Sequence, residues 1–305
     1  AGAGARARAS ATAPDSLTLA VLRVVFPPDI DPETTGDGTF DLSDPGGSGL
    51  DRPPHDRAYF ERQLLALRNY WLAVSQGQLR LGYILFPAGD ATAFRLPSPM
   101  RYYNPDSTAA ALDRRLAEFL RDAVTAADAL VDFPAFDAAV IFHAGVGQDL
   151  ALDDATPSDL PSAFLSFREL KAALAPGDPG FQGIPVEGGA AFVRDGMWLP
   201  ETEVQEGIEF SLLGVMASLF GSQLGLPSLF NTESGAPGIG RFGLMDQGGG
   251  NEAGKLPAAP CAWSRFFLGF STPGVIRRGT DIPLRAALTG GDINPTAEPD
   301  LVLLP

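Results

Sequence analysis

The chain is poor in the residues that build covalent cross-links and transition-metal sites. Among its 305 residues there are one cysteine, Cys261, and two histidines, His55 and His143. A single cysteine excludes an intramolecular disulfide and a cysteine-rich zinc site, and it is typical of a small buried apolar side chain. We expect each histidine to make ordinary hydrogen bonds at the surface or at the edge of a core.

Long apolar runs and an excess of positive charge are also missing. No uninterrupted run of about 18 apolar residues occurs, so we expect no membrane-spanning segment. With 37 acidic against 22 basic residues, the formal net charge is -15. An acidic protein repels phosphate backbones and is weakly attracted to anionic lipid, which argues against a nucleic-acid partner.

Apolar residues, glycine and proline are abundant instead. Hydrophobic residues make up 45% of the chain, enough for a large core, and 35 glycines with 27 prolines predict many loops. Residues 1–16 are small and low in complexity, and the first residue is alanine. We interpret this segment as an extended arm left after removal of a secretory signal, which predicts an extracytoplasmic protein, periplasmic or secreted.

Apolar periodicity predicts three amphipathic helices. The first begins at about Asp56, which is suited to be its N-cap, and the second covers about residues 107–130. The third covers about residues 206–224, with Ile208 on its apolar face. Each of these helices is expected to pack one face against a core.

Strands and loops complete the prediction. Residues 149–189 show little periodicity and are interpreted as a long surface insertion with one short helix near 164–174. Residues 192–200 resemble a short hairpin. A buried strand is predicted over residues 17–26, an alternating strand over 78–86, and another short strand in the segment 136–145, ending at His143.

Helices mixed with strands favour one α+β domain with a short β tail. We divide the chain into the arm 1–16, a main domain 17–271 and a tail 272–305. The tail is punctuated by proline, and its apolar stretches at 281–288 and 300–305 predict short strands.

An acidic loop follows the first predicted strand. It contains Asp29, Asp31, Asp37, Asp41 and Asp44. Carboxylates at this density could bind a calcium ion, but the dense D-x-D-x-D-G pattern of calcium loops is missing. A solvated loop is the simpler interpretation, and both remain open here.

The segment from Gly214 to Gly249 carries two motifs at fixed spacing. It resembles the zinc helix and Met-turn of bacterial immune inhibitor A-type metallopeptidases, which carry H-E-x-G-H-x-L-G-L-P-x-x-Y-[DN] and then G-I-G-x-[WF]-x-L-M. A third family motif is similar to "PCAWSRFFLGF" over residues 260–270, and the resemblance covers about residues 17–272. The matching positions are Gly221, Leu224, Gly225, Leu226, Pro227, Leu229, Phe230 and Asn231 in the first motif, and Gly238, Ile239, Gly240, Phe242, Leu244 and Met245 in the second.

The chain departs from the family at each chemical position of the first motif. The two zinc histidines correspond to Ser218 and Ser222, the general-base glutamate to Leu219, and the acidic third ligand to Ser228. Serine hydroxyls are poor zinc ligands, and leucine cannot take a proton from a metal-bound water. We therefore expect no metal, no cofactor and no peptidase activity.

The resemblance also implies roles for residues around that helix. It implies a zincin-like or metzincin-like peptidase domain over 17–271 with a mixed twisted sheet, a Met-turn at Met245 in a structural role, and an active-site-type helix that ends at Gly225 and Pro227. Glu201 and Glu203 match a strand end of the family. We expect them to be solvated, or alternatively to lie on the rim of the former substrate cleft.

Three functions are compatible with such a chain. The first is a pseudo-peptidase that serves as a structural or binding subunit of a larger extracytoplasmic protein complex, which could be membrane-bound. The second is a solitary module that binds peptide or glycan in the inactive cleft. The third is a residual or repurposed hydrolase, for which a Ser218 or Ser222 pair with His143 is conceivable although no G-x-S-x-G elbow occurs.

Overall fold

The computed structural model describes residues 13–47, 49–105, 108–149, 156–204, 207–232, 234–272, 274–275 and 302–303. The strands are β1 (Ser16–Val25), β2 (Arg80–Phe86), β3 (Phe94–Arg95), β4 (Ala138–Val146), β5 (Ala163–Leu165), β6 (Ile184–Val186), β7 (Ala191–Val193), β8 (Gly196–Thr202), β9 (Gly274–Val275) and β10 (Val302–Leu303). The helices are α1 (Arg57–Val74), α2 (Met100–Tyr103), α3 (Ala109–Ala127), α4 (Phe167–Leu174), α5 (Leu212–Gln223) and α6 (Ala262–Phe267).

The main sheet is mixed. Its strands follow the order β2-β1-β4-β8-β5, and the short β3 also pairs with β1. β1 runs parallel to β2, β3 and β4, and β4 runs parallel to β8. The edge strand β5 is antiparallel to β8. The predicted combination of helices with a mixed sheet is therefore confirmed at the level of α+β class.

Helices cover both faces of this sheet. On one face α1 and α5 pack together, and the rings of Trp71 and Phe220 meet with centroids 5.5 Å apart. On the other face α3 packs against β8, where the rings of Phe119 and Trp198 lie 5.4 Å apart. β4 and β8 are buried along their whole length, because both faces of each strand are covered.

The elements with the clearest periodicity lie where the sequence predicts them. Asp56 caps α1, and its carboxylate accepts a hydrogen bond from the backbone N–H of Tyr59 at 2.9 Å. β1 begins one residue before the predicted strand, and α3 occupies all but the ends of the predicted second helix. The stretch 281–288 and most of the arm 1–16 lie outside the described residues, whereas β10 falls in the predicted strand 300–305 and pairs with β9.

Three local predictions are wrong. The hairpin over residues 192–200 does not form: β7 pairs with β6 in a separate two-stranded sheet, and β8 is an inner strand of the main sheet. The short helix predicted near 164–174 forms as α4, but residues 149–189 are more than a surface insertion, because they also supply the edge strand β5. The third helix begins only at Leu212, so Ile208 precedes it and is half exposed.

No helix in the part of the chain that the structure describes is both long and apolar enough to cross a bilayer.

Candidate functional site

The helix α5 is fixed at both ends by its own sequence. Ser211 caps its start, where the Ser211 hydroxyl accepts a backbone N–H. At its end the N–H groups of Gly225 and Leu226 donate to the carbonyls of Ser222 and Gly221, at 2.9 and 3.0 Å. Gly225 has φ +87°, a left-handed conformation that glycine adopts without strain. The chain therefore leaves the helix in one defined direction.

Beyond the helix end the chain passes through Pro227 and Ser228, both exposed, and later returns beneath α5 at Met245. The Met245 side chain is buried, and a Cβ on Gly221 would come within 2.5 Å of its sulfur. The Met245 carbonyl accepts the N–H of Leu229 at 2.8 Å, which ties the turn to the segment after the helix. Met245 thus packs directly against the underside of α5.

The turn that carries Met245 is held by Asp246, a residue that the sequence analysis missed. One Asp246 carboxylate oxygen accepts the N–H groups of Gly238, Ile239 and Gly240 at 2.6–2.8 Å, and the other accepts that of Gln247. Burial alone would raise the pKa of Asp246, but these backbone N–H groups hold that pKa below its ordinary value. The carboxylate is fully used in organising the turn.

A cavity of about 310 Å³ lies between α5 and this turn. It brings together the four positions singled out in the sequence, namely Ser218, Leu219, Ser222 and Ser228, with Met245 beside them. Its other lining residues are Asp149, Phe210, Val215, Phe230, Leu244, Asp246, Gly249 and Gly250. Apolar side chains and backbone thus form most of the wall.

The hydroxyl groups in this cavity are engaged with the backbone. Ser218 donates to the carbonyls of Gly214 at 3.0 Å and Leu244 at 3.2 Å, and Ser222 lies 3.5 Å from the carbonyl of Ser218. Within the described ranges, no three His, Cys, Asp or Glu side chains are placed to hold a metal ion. These donors do not fit a catalytic zinc ion, which needs three nitrogen, sulfur or carboxylate ligands.

His55 belongs to a different place, the carboxyl ends of the parallel strands β4 and β8. It is buried, with Nδ1 2.8 Å from a carboxylate oxygen of Glu201 and Nε2 2.8 Å from the carbonyl of Asp51. Burial alone would lower the pKa of His55, but the hydrogen bond and charge of Glu201 raise it above its ordinary value. Of the two expected environments, a surface or a core edge, His55 is not at the surface, and it makes the ordinary hydrogen bonds that were expected.

Glu201 connects three parts of the fold. Besides His55, its carboxylate accepts the N–H of Gly145 at 2.9 Å and that of Asp41 at 3.0 Å. The Tyr59 hydroxyl donates to the Glu201 backbone carbonyl at 2.7 Å. The predicted solvated strand end is therefore wrong, because Glu201 is buried and holds β8 to β4, to α1 and to the loop after β1.

Glu203 is the most isolated acid in the described part of the chain. Its side chain is 1% exposed, and neither carboxylate oxygen receives an N–H or O–H from a described residue. Burial, reinforced by a hydrogen bond with the Asp149 carboxyl, raises the pKa of Glu203 to about 11. Glu203 is thus protonated at neutral pH. The expectation of a solvated Glu203 is also wrong, and Asp149 places this pair against the cavity wall.

His143 lies inside the sheet, on the face covered by α3. It is completely buried, packs against the rings of Phe26 and Phe119 at 6.0 and 5.9 Å, and interacts with the carbonyl of Ala144 through Nδ1. Burial lowers the pKa of His143 to about 4, so the ring is neutral at neutral pH. It does not line the cavity that contains Ser218 and Ser222, so these residues do not form the conceivable serine–histidine pair.

The acidic loop uses its carboxylates locally. Asp29, Asp31, Asp37, Asp41 and Asp44 each accept the backbone N–H of the residue two positions later. This pattern stabilises tight turns of the loop itself. It accounts for the density of aspartates without a bound ion.

No known protein-family model matches the chain, and no curated protein gives a significant match. What the cavity can do therefore follows from its own side chains.

Proposed function

We propose that this chain is an inactive metallopeptidase-like domain that acts as a structural or binding subunit of an extracytoplasmic protein complex. The observation that carries the proposal is the cavity beside α5. Ser218, Leu219, Ser222 and Ser228 meet there at the positions where immune inhibitor A-type peptidases hold two histidines, a glutamate and an acidic ligand.

The arrangement around the cavity supports a zincin-like or metzincin-like origin. α5 crosses one face of a mixed sheet, the antiparallel edge strand β5 lies beside it, and a turn with Met245 packs beneath it. Residues 218 and 222 lie one turn apart on α5 and both face the cavity, which is the spacing that two metal-binding imidazoles need. Serine at both positions provides neutral hydroxyls that donate to carbonyl groups instead.

The chemistry of the cavity favours binding over catalysis. Leu219 cannot act as a general base, and Asp246 is occupied by four backbone N–H groups. What remains is a mostly apolar recess with three hydroxyls, which is suited to hold a side chain or a short segment of a protein partner. The net charge of -15 makes nucleic acid an unsuitable partner.

A solitary module is the second candidate. The cavity volume of about 310 Å³ is large enough for one or two amino-acid side chains, and its apolar wall would favour a peptide over a glycan. Native mass spectrometry of the protein isolated from its source separates the two candidates. Co-purifying chains in fixed stoichiometry support the subunit, whereas a monomer that binds peptide supports the solitary module.

Restoring the metal-binding residues tests the proposed origin. We expect the wild-type chain to purify without stoichiometric zinc and to cleave no peptide. A variant with Ser218→His, Leu219→Glu, Ser222→His and Ser228→Glu should bind one zinc ion per chain, measured by metal analysis and isothermal titration calorimetry. Asn69→His with Ala73→His is the matched control, because it places two histidines four apart on the exposed face of α1.

Two outcomes would contradict the proposal. Stoichiometric zinc in the wild type, with peptide cleavage that a chelator abolishes, would show a working peptidase. Zinc affinity of the four-residue variant no higher than that of the α1 control would show that the helix and turn do not preserve a metal-binding geometry.

A further inference from the structure

An exposed apolar surface surrounds the turn before Met245 and the helix α6. Phe242 is 90% exposed, Leu256 68% and Trp263 50%, and Ile239 and Phe266 are each more than a third exposed. Single exposed apolar side chains are common, but a group of this size marks an interaction surface. We call these five residues the apolar tip.

The residues of the apolar tip come from three segments that hydrogen bonds hold together. The Asn251 side chain donates to the carbonyl of Arg241 at 3.0 Å, and the N–H of Leu256 donates to the Asn251 carbonyl at 3.3 Å. The N–H of Leu244 donates to the carbonyl of Ala259 at 3.2 Å, which joins the first segment to the chain entering α6. These hydrogen bonds hold the three segments of the apolar tip in place relative to one another.

Ile239 links the turn to α6 more closely. A Cβ on Gly243 would fall 2.2 Å from the end of the Ile239 side chain and 3.6 Å from Cys261. Cys261 directly precedes α6, and within that helix the Trp263 ring stacks on that of Phe267 with centroids 5.1 Å apart. Trp263 and Phe266 are three residues apart and so lie on one side of the helix.

The charge of this surface differs from that of the whole chain. Between residues 235 and 272 the exposed charged side chains are Arg241, Lys255 and Glu252, a local charge of +1 against -15 for the chain. Most acids therefore lie elsewhere, and two cations flank the aromatic and aliphatic groups. Surfaces that enter a bilayer interface typically combine Phe, Leu and Trp with neighbouring Lys and Arg.

We propose that the apolar tip docks on a lipid bilayer, with Phe242, Leu256 and Trp263 inserted at the level of the headgroups. Three features favour lipid over a protein partner. Phe242 projects almost entirely into solvent, the exposed groups come from separate turns, and Glu252 is the one exposed acid between residues 235 and 272. The site is separate from the α5 cavity, so the inference does not depend on the proposed function.

Vesicle binding of the full chain tests this docking. Trp71 and Trp198 are fully buried, so a fluorescence change on adding lipid reports mainly on Trp263. With phosphatidylcholine vesicles we expect the emission to shift to shorter wavelength, acrylamide quenching to fall, and the protein to float with the lipid in a density gradient.

Variants separate insertion from charge. Phe242→Ser should weaken the partition into phosphatidylcholine vesicles about tenfold or more, because it removes one large inserted side chain. Ile30→Ser is the matched control, because Ile30 is 95% exposed and lies in the loop that follows the end of β1. The helix α6 lies at the opposite end of β1, where the N–H of Ala13 donates to the carbonyl of Leu268. Lys255→Glu should weaken binding to vesicles containing phosphatidylglycerol and leave binding to phosphatidylcholine unchanged.

Either of two results would overturn the inference. The wild-type chain could stay unbound with unchanged fluorescence at saturating lipid, in which case the apolar tip has another occupant, such as a protein chain. Alternatively, Phe242→Ser could bind vesicles as well as Ile30→Ser does, which would place any lipid contact elsewhere.

Discussion

Two neighbouring regions differ in their electrostatics: the α5 cavity and a group that we call the acidic cluster. The acidic cluster consists of His55, Glu201, Glu203 and Asp149. Asp149 borders the cavity and also contacts Glu203. In the cavity, neutral hydroxyls donate to backbone carbonyls. In the acidic cluster, one carboxylate pairs with a buried histidine and another retains its proton. The four cavity positions singled out in the sequence therefore carry no charged side chain, and the groups with strongly shifted pKa values lie beside them.

The residues that carry the family resemblance are therefore different from those on which stability depends most. Beside α5 the side chains contribute packing and hydrogen bonds to the backbone, which tolerate small changes. The acidic cluster instead depends on partners distant in sequence, since Glu201 and His55 are 146 residues apart. Mutations of the cluster should therefore be costly and dependent on pH, and mutations of the cavity should be neither.

The largest expected effect follows from removing Glu201. Glu201→Ala should lower the free energy of unfolding by ~3–5 kcal/mol at pH 6, because it leaves a buried charged His55 and two unpaired N–H groups. Urea denaturation followed by circular dichroism measures this loss. The exposed acid Glu209 provides the control Glu209→Ala. An equal loss in both variants would refute a special role for the pair.

The pH adds a second test of this pair. The folded-state pKa of His55 is raised, so its stabilisation is fully present below pH 6.5 and is lost as the pH rises through the folded-state pKa. The cost of Glu201→Ala should therefore shrink between pH 6 and the alkaline range. A cost independent of pH would show that His55 is uncharged in the pair.

Glu203 should make stability fall as the pH rises. Its pKa is about 11 in the folded chain and near 4.5 when unfolded, so its contribution is complete below pH 4.5 and declines above it. Glu203→Gln keeps the hydrogen bond to Asp149 without a titrating proton. The stability of this variant relative to wild type should increase by ~1 kcal/mol per pH unit between pH 5 and 8. Urea denaturation across that range measures the slope.

The exposed acid Glu252 supplies the control variant Glu252→Gln, which is measured across the same pH range. A stability difference between Glu203→Gln and wild type that does not vary with pH would mean that Glu203 is ionised in the folded chain.

His143 should make stability fall as the pH decreases, which is opposite to the effect of Glu203. Its pKa is lowered to about 4 by burial, so the unfolded chain binds the proton first and stability falls as the pH drops from 6.5 towards 4. The chain has two histidines, so NMR should show two imidazole signals. We expect one, from His55, to titrate above pH 6.5 and the other to remain neutral until about pH 4. Two signals that both titrate near 6.5 would contradict both environments.

The sequence predicts local structure better than it predicts this contrast. α1, α3, β1 and β4 follow from apolar periodicity and a capping aspartate. β8 (Gly196–Thr202) is misassigned to a hairpin because it contains Pro200 and Glu201, and its burial depends on β4, β5 and α5. A signal does exist, since Met197, Leu199 and Glu201 alternate along this strand and share a face.

The sequence predicts which residues line the cavity, but it does not predict which residues form the acidic cluster. Ser218, Leu219 and Ser222 share a helix face by spacing alone, and the family resemblance joins Ser228 and Met245 to them. The partners of Glu201 and Glu203 come from loops and strands far along the chain, so no local pattern identifies them. Tertiary contacts decide whether a carboxyl group in such a strand is solvated or buried.

The smallest expected effects lie in the cavity. Ser222→Ala should change the free energy of unfolding by less than ~0.5 kcal/mol, because its hydroxyl is half-buried and 3.5 Å from its acceptor. Ser218→Ala should cost ~1 kcal/mol, since two carbonyls lose a donor. Neither cost should vary between pH 5 and 8. If either variant showed the pH slope expected of Glu203, the hydroxyl would be coupled to the Asp149–Glu203 proton, and the cavity and the acidic cluster would be one titrating site.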